Sequence, residues 1–348
     1  SLQTHLAEIC TLLISDLSIP VSWGQIRGKV WGPEHGRPVL CLHGWADNCG
    51  TFNTLIPLLP KEYRYVAVDL AGHGLSSHRP PGAFYTIIEN VADVRRVVAG
   101  LRWTNFSIIG HSMGGSIAAM FSALYPEMVD TLVLLDSYGF VATDSKELPE
   151  VLRKVMVAMF QFEEKPEEKK RVYTYEKAVE RLSAANPTMT EHSVRVLLER
   201  GLVQVEGGAV CVFYFVRSQK NPWRMCLEQS LEMQSRVRAS VLLVLTDKGF
   251  NRTLFEPSQR KFTSTLLRGL QDRNHTVVTV PGDHHVHLNE PEVVAPIVSD
   301  FLRNRAASPS RAHHVFGLWE EAGEPGENPR CHGENMQTPH RRTAPTGN

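Results

Sequence analysis

The sequence predicts an α/β fold in which helices flank both faces of a mainly parallel, twisted sheet. Short, continuously apolar runs, typical of buried parallel strands, recur along the 348-residue chain. Segments with helical periodicity separate these runs, as they do in repeated strand–helix–strand units. One run, 106–109, passes almost directly into an Ala-rich helical segment. The apolar content of 42% is sufficient for a large domain of this class.

The first part of the chain supplies most of the predicted sheet. Alternating apolar and polar residues with glycine breaks predict an antiparallel hairpin over 17–31. Thr86 and Glu89 form a capping box, which begins a helix at 86–101 whose apolar residues recur with a period near 3.6. A short helix is predicted at 51–59, and buried strands are predicted at 37–42, 65–70, 106–109 and 131–135.

The pattern changes over residues 137–239, where long, charge-rich amphipathic segments follow one another: 146–164, 175–185, 191–200 and 222–238. An insertion after the sixth strand would overhang the carboxyl edge of the sheet, where α/β folds bind ligands. We therefore predict a helical cap at 137–239 that divides the core into 1–136 and 240–305. The second part of the core contains predicted strands at 241–245 and 276–280 and helices at 255–269 and 292–303. The composition of 306–348 predicts a disordered tail.

The composition disfavours several classes of partner. Lys and Arg total 37, as do Asp and Glu, so the zero net charge gives no reason to expect nucleic acid or an anionic membrane surface. No apolar stretch reaches the roughly 20 residues of a membrane span, and no signal peptide is evident. The six cysteines are scattered without metal-ligand spacing, which predicts reduced thiols in a cytoplasmic protein and no metal or cofactor. The sequence leaves the oligomeric state open.

The segment Gly110-His111-Ser112-Met113-Gly114 is the strongest functional motif. A buried strand, a G-x-S-x-G turn and a helix together form a nucleophile elbow, in which a strained backbone presents the serine at the helix N-terminus. Glycines relieve the crowding around such a turn, and the unpaired N–H groups of the helix favour developing negative charge. Ser112 is therefore the predicted nucleophile.

A serine hydroxyl needs a base, and the base needs an orienting acid. In this topology the acid and the histidine follow the serine in that order. His284 is the predicted base because it follows the glycine turn after the last strand most closely, and His285 and His287 are the alternatives. Asp247 is the first candidate for the acid and Asp136 the second, because each follows a buried strand.

Two backbone N–H groups are needed to stabilise the oxyanion. Met113 follows the nucleophile, and Trp45 follows the strand at 37–42 through His43-Gly44, so these two residues are the predicted donors. We expect His43, His73 and His111 to order loops.

Asp69, together with Gly72 and Gly74, is expected to fix the loop that follows its strand.

The chain resembles the α/β-hydrolase superfamily over roughly residues 17–304, through L-C-L-H-G-W-A-D-N, D-L-A-G-H-G-L-S-S-H, I-I-G-H-S-M-G-G and P-G-D-H-H-V-H-L-N-E-P-E. These motifs, with L-I-P-L-L-P, most resemble the serine hydrolase-like proteins of animals. The resemblance implies the α/β-hydrolase fold, a nucleophile at Ser112, a base at His284, a helical cap and a perinuclear or peroxisome-associated location. Superfamily members usually carry the acid two positions after Asp247, where this chain has Gly249.

These residues predict a cofactor-free serine hydrolase, a carboxylic ester hydrolase, that acts on small ester, thioester or related acyl substrates through a covalent acyl-enzyme. The uncertain acid leaves a second hypothesis open, in which the fold binds ligands or acts as a scaffold without catalysis. A third hypothesis is C–C bond hydrolysis on the same triad. The sequence does not define the acyl chain length, because fold does not dictate substrate.

Overall fold

The computed structural model describes residues 14–164, 172–205, 208–211, 225–249, 257–273 and 275–306. Ten strands are described: β1 (Ile14–Val21), β2 (Gly24–Trp31), β3 (Arg37–Leu42), β4 (Tyr63–Val68), β5 (Phe106–His111), β6 (Val129–Leu135), β7 (Leu202–Val205), β8 (Gly208–Cys211), β9 (Ser240–Thr246) and β10 (Thr276–Val280).

The helices that flank these strands are α1 (Ile87–Gly100), α2 (Met113–Leu124), α3 (Leu148–Glu163), α4 (Tyr175–Ala185), α5 (Glu191–Gly201), α6 (Leu227–Arg236), α7 (Pro257–Gln271), α8 (Val286–Asn289) and α9 (Pro291–Ala306). None of these described helices is long and apolar enough to cross a membrane.

Eight strands form one sheet in the order β1-β2-β4-β3-β5-β6-β9-β10. The predicted hairpin is present, because β1 pairs antiparallel with β2, and β2 pairs antiparallel with β4. Every other neighbouring pair in this sheet is parallel. The predicted α/β class is therefore confirmed. Strands β7 and β8 form a separate antiparallel pair that the sequence analysis did not predict.

The two faces of the sheet bury different layers of helices. Along β3, Leu40 and Leu42 pack in the apolar cluster that contains residues of α1 and α2. Val39 and Cys41 pack in the opposite cluster with residues of α9. Because successive residues of a strand point to opposite faces, covering both faces requires the continuous apolar run seen in the sequence.

Most predicted elements lie where the sequence placed them. Thr86 caps α1 and, with Glu89, makes both hydrogen bonds of the predicted capping box. The predicted helix at 51–59 is wrong in type: two 3-10 helices, Cys49–Phe52 and Ile56–Leu58, occupy this segment. Pro57 lacks the backbone N–H that a continuous α-helix would use there.

The segment between β6 and β9 contains the helices predicted as a cap. Helix α5 contacts the 3-10 helix that follows β3, where the Asn48 side-chain amide donates to the Leu197 carbonyl at 2.8 Å. Helix α6 instead packs on α2 and α7 beside the sheet. The domain boundaries at 137 and 239 remain predictions. The predicted disordered tail begins at Ala306, where α9 ends, and the rest of it lies outside the described residues.

Candidate active site

Ser112 lies between the end of β5 and the start of α2. Its backbone has φ 52° and ψ −118°, a conformation that non-glycine residues rarely adopt. Strain of this kind costs about 1–3 kcal/mol and persists where the surrounding structure enforces it. The strand, turn and helix predicted for a nucleophile elbow are all present around this residue.

The glycines beside Ser112 are required by close backbone contacts. A Cβ added at Gly114 would lie 2.1 Å from the Leu42 carbonyl oxygen, at the end of β3. A Cβ added at Gly110 would lie 2.6 Å from the Gly114 carbonyl oxygen. Neither contact is sterically tolerable, so any side chain at these positions would force the elbow away from the sheet.

His284 follows β10 and contacts both Ser112 and an aspartate. Its Nε2 lies 3.0 Å from Ser112 Oγ, and its Nδ1 lies 2.6 Å from Asp136 Oδ2. A carboxylate only accepts hydrogen bonds, so the neutral imidazole donates from Nδ1, and its Nε2 accepts from the serine hydroxyl. Sequence reasoning named all three residues, with Asp136 as the second candidate for the acid.

Asp247, the first candidate, does not make the expected contact with His284. Its Oδ1 accepts a hydrogen bond of 2.9 Å from the Gly282 N–H, and its own N–H donates to the Val280 carbonyl. The Asp247 side chain therefore stabilises the turn after β10. The contact expected of Asp247 is made by Asp136.

The direction of the side chains along β9 explains this difference. Thr246, the last residue of β9, points toward Asp136, and its N–H and hydroxyl both donate to Asp136 Oδ1, at 3.1 and 2.9 Å. Asp247 lies in the turn after β9, and its carboxylate instead accepts from the Gly282 N–H, which follows β10. Asp136 directly follows β6 just as Asp247 directly follows β9, so no local sequence signal separates the two candidates.

Gly249 lies against the same carboxylate. A Cβ at this position would stand 2.4 and 2.5 Å from the two Asp136 oxygens. This is the position at which the superfamily pattern places its acid. The Asp136 carboxylate, which comes from the neighbouring strand, therefore occupies space that a side chain at residue 249 would need.

The two predicted oxyanion donors lie in segments that adjoin Ser112. Met113 is the first residue of α2. Trp45 follows Gly44, and a Cβ added at Gly44 would lie 3.2 Å from Ser112 Cβ. The loop after β3 therefore passes beside the serine, as the prediction for Trp45 requires.

His43 and His73 order the loops that follow β3 and β4. His43 accepts from the Leu70 N–H at 2.9 Å, and its other ring nitrogen lies 2.7 Å from the Gly44 carbonyl oxygen. His73 accepts from the Ala46 N–H at 3.3 Å and lies 3.0 Å from the Ala71 carbonyl oxygen. Burial lowers the pKa of both imidazoles, that of His73 to about 3. Both are therefore neutral side chains that hydrogen-bond to loop backbone, which is the loop-ordering role expected of them.

Asp69 organises its loop and also holds the insertion to the core. Its carboxylate accepts from the N–H groups of Cys49 and Leu75, at 2.8 and 2.9 Å. Arg200, at the end of α5, donates to Asp69 Oδ2 from Nε at 3.1 Å and from Nη2 at 2.7 Å. Burial opposes the charge of Asp69, but Arg200 outweighs it and lowers the pKa of the carboxyl. Sequence analysis anticipated the loop role and missed Arg200, which lies far away in the chain.

A second polar cluster lies directly behind Ser112 and His284. It consists of Asp47, His111 and His285, which come from the loop after β3, the end of β5 and the loop after β10. Burial lowers the pKa of His111 to about 4. Burial also disfavours a charged His285, but Asp47 outweighs this effect and raises the pKa of His285. Sequence analysis gave His111 only a loop-ordering role and did not identify Asp47.

His287, the other alternative base, lies in the core beneath this cluster. Its Nε2 lies 2.9 Å from the Thr51 hydroxyl, and the residue is fully buried. Burial lowers the pKa of His287 well below its ordinary value. Among the candidate bases in the described loop, His284 is the residue whose ring lies within hydrogen-bonding distance of Ser112.

Comparison with known proteins agrees with this architecture. A family profile described as alpha/beta hydrolase fold matches residues 37–291. The chain is 52% identical over 290 residues to a serine hydrolase-like protein of Danio rerio, covering 83% of this chain and 88% of that protein. It is 39% identical over 306 residues to serine hydrolase-like protein 2 of Homo sapiens, covering 84% and 95% of the two chains.

A solved structure has a similar fold. The crystal structure of a hypothetical protein from Pseudomonas aeruginosa matches with a TM-score of 0.72 and 30% sequence identity. The match covers 83% of this chain and 99% of that one. The overall fold therefore recurs in an experimentally determined structure.

Proposed function

We propose that this chain, which belongs to the alpha/beta hydrolase fold family and within it to the serine hydrolase-like proteins, hydrolyses ester, thioester or related acyl substrates. The family and the names of the relatives support a hydrolase. The finer proposal rests on one observation: His284 lies 3.0 Å from Ser112 Oγ through Nε2 and 2.6 Å from Asp136 through Nδ1.

In the proposed acylation step, Ser112 Oγ attacks the substrate carbonyl carbon while its proton passes to His284 Nε2. Asp136 stabilises the resulting imidazolium and holds the ring in the required tautomer. The two hydrogen bonds from Thr246 keep the Asp136 carboxylate in the orientation that this role requires. His284 then protonates the leaving alcohol or thiol as the carbon–heteroatom bond breaks.

The tetrahedral intermediate carries its negative charge on the former carbonyl oxygen. We assign its stabilisation to the backbone N–H groups of Met113 and Trp45, supported by the position of Met113 at the start of α2 and of Gly44 against Ser112. The positive end of the helix dipole adds to this stabilisation.

Deacylation repeats the same proton transfers with water. His284 takes a proton from the water, whose oxygen attacks the acyl-enzyme carbonyl, and the proton then returns to Ser112 Oγ as the acid product leaves. The steps use the side chains of Ser112, His284 and Asp136 together with the two backbone donors.

A fluorophosphonate probe, which reacts with activated serines, tests the proposal. The full-length protein should be labelled, and Ser112→Ala should abolish labelling. Ser116→Ala is the matched control, because Ser116 lies one turn further along the same helix; it should be labelled like the parent. Labelling of the Ser112→Ala variant at the parental rate would contradict the assignment.

Folded parent protein that fails to react would instead support the binding or scaffold alternative. If the parent is labelled, a graded panel of esters and thioesters, with a C–C hydrolase substrate as a third arm, would define the substrate class. The cytoplasmic, perinuclear or peroxisome-associated location remains a prediction, which imaging of the tagged full chain would test.

A further inference from the structure

The cluster of Asp47, His111 and His285 brings three metal-binding side chains together outside the serine–histidine pair. Their Oδ2, Nδ1 and Nε2 atoms all lie within 4.8 Å of one another. The residues are 5%, 1% and 9% exposed, respectively. Two loops and the end of β5 therefore bring three possible ligand atoms to one buried point.

The distances inside this cluster are unsuited to hydrogen bonds. Asp47 Oδ2 lies 3.6 Å from His111 Nδ1 and 3.6 Å from His285 Nε2. Hydrogen bonds between nitrogen and oxygen span about 2.7–3.2 Å. Two ligands of a tetrahedral zinc ion, each bound at about 2.0–2.1 Å, are separated by about 3.4 Å. The observed spacing is thus closer to that of two metal ligands than to that of a hydrogen-bonded pair.

The tautomer of His111 indicates which kind of group the cluster requires. His111 Nε2 lies 2.8 Å from the His284 carbonyl oxygen, an atom that only accepts, so Nε2 carries the proton. In the neutral ring, Nδ1 then directs a lone pair toward the Asp47 carboxylate. Within the described part of the chain, neither His111 Nδ1 nor Asp47 Oδ2 has a hydrogen-bond partner.

Two facing lone pairs in a buried site are unfavourable unless a positive species lies between them. A single proton shared between His111 Nδ1 and Asp47 Oδ2 does not fit their separation of 3.6 Å, which is longer than a hydrogen bond. A divalent cation satisfies the carboxylate and both imidazoles together, with no charged ring.

We propose that Asp47, His111 and His285 form a binding site for a divalent transition-metal ion, of which zinc is the best match. Two imidazoles and one carboxylate are a common zinc donor set, and hard cations such as magnesium prefer oxygen ligands. Cysteine spacing gave no sign of this site, and no local motif could, because His111 and His285 lie 64 and 238 positions after Asp47 along the chain.

The site would position the catalytic residues without touching the substrate. His111 directly precedes Ser112, and His285 directly follows His284. The bond from His111 Nε2 to the His284 carbonyl is the outer hydrogen bond that metal-bound histidines usually make. A bound ion would thereby join the elbow, the loop after β3 and the loop that carries His284.

Zinc binding to the full-length protein tests the proposal. After removal of metals with a chelator, the protein is titrated with zinc in competition with a chromophoric chelator, and its thermal midpoint is measured with and without zinc. We expect one tight zinc ion per chain and a raised midpoint. Ser112→Ala should bind zinc equally well, which separates this result from the proposed hydrolase function.

Asp47→Asn should weaken binding at least about 100-fold, more than the loss of an outer-sphere partner normally does. His285→Gln is a second ligand variant in case Asp47→Asn does not fold. His192→Gln changes an exposed histidine and is the control for zinc bound at the surface. Cobalt substitution should give the visible absorption of a four-coordinate site in the parent and not in the ligand variants.

Equal zinc affinity in the parent and in both folded ligand variants would overturn the proposal. Absence of tight zinc binding to the parent would also overturn the proposal. A proton carried by His285 would then be the positive species that offsets the buried Asp47 carboxylate.

Discussion

Asp136 and Asp247 occupy similar places in the fold, yet their carboxylates have different partners. Each directly follows a buried parallel strand, β6 or β9, and these strands are neighbours in the sheet. Asp136 lies against His284, whereas Asp247 accepts from the Gly282 backbone. A position at the carboxyl edge of the sheet therefore makes both aspartates candidates for the acid. The direction in which each carboxylate points decides which of them contacts His284.

Replacing each aspartate by asparagine should have the largest and most unequal effect. Asp136→Asn should lower kcat by about 10⁴, because the loss of the carboxylate leaves His284 in the wrong tautomer and its imidazolium unstabilised. Asp247→Asn should lower kcat by no more than about tenfold, since the asparagine carbonyl still accepts from Gly282. Steady-state hydrolysis of a chromogenic ester measures both. Equal losses in the two variants would reject Asp136 as the acid.

A third strand-end aspartate, Asp69, serves structure, and its partner can be tested by stability. Arg200→Met leaves the buried Asp69 charge unpaired and should lower the free energy of unfolding by about 3–5 kcal/mol. Arg195→Met is the matched control on the same helix, because its pair with Glu191 is exposed and should contribute less than about 1 kcal/mol. Urea denaturation measures both values. Similar losses would show that the Asp69 pair is no more important than a surface pair.

Moving the acid from one strand to the other should recover part of the activity. In an Asp136→Ala background the Thr246 hydroxyl, which also crowds position 249, has lost its acceptor and can rotate away. Gly249→Asp then places a carboxylate near His284 and should raise kcat by about 100-fold over Asp136→Ala, about 2.7 kcal/mol. Gly249→Asp alone should lower activity, because two carboxylates would share one site. Kinetics of the single and double variants form the measurement. The absence of any recovery would mean that position 249 cannot reach His284.

The neutral histidine braces should make the protein sensitive to acid. His73 has a folded-state pKa of about 3, whereas an unfolded histidine titrates near 6.5. Between these values the unfolded chain binds the additional proton, so the free energy of unfolding falls as the pH falls, by about 1.4 kcal/mol per pH unit. His43 acts in the same direction.

Urea denaturation between pH 7 and pH 5 measures this slope, and His73→Gln should reduce it. An unchanged slope in that variant would show that His73 does not carry the effect. The difference in slope between the parent and His73→Gln reports on a buried histidine of the β4 loop. It does not report on His284, which is partly exposed beside Ser112.

Much of the fold was predictable because its signals are local in the chain. The capping box at Thr86 and Glu89, the continuous apolar strands and the glycines of the elbow each follow from a few neighbouring residues. The 3-10 helices near Pro57 and the β7–β8 pair were missed, because propensity does not separate short helical or extended segments reliably.

The candidate site was predictable in part for the same reason. Ser112 is identified by its own turn, and His284 by its place after the last strand. Arg200, Thr246 and Asp47 were missed, because their roles arise from contacts between elements far apart in the sequence.

The sequence by itself determined the strand–turn–helix that presents Ser112 and the order in which its partners follow. These features depend on local backbone preferences and on the alternation of apolar segments. Only the tertiary structure decided that Asp136 contacts His284, because the register of β6 against β9 sets which carboxylate points into the site. Tertiary packing likewise brought Asp47, His111 and His285 to one buried point, which no local pattern specifies.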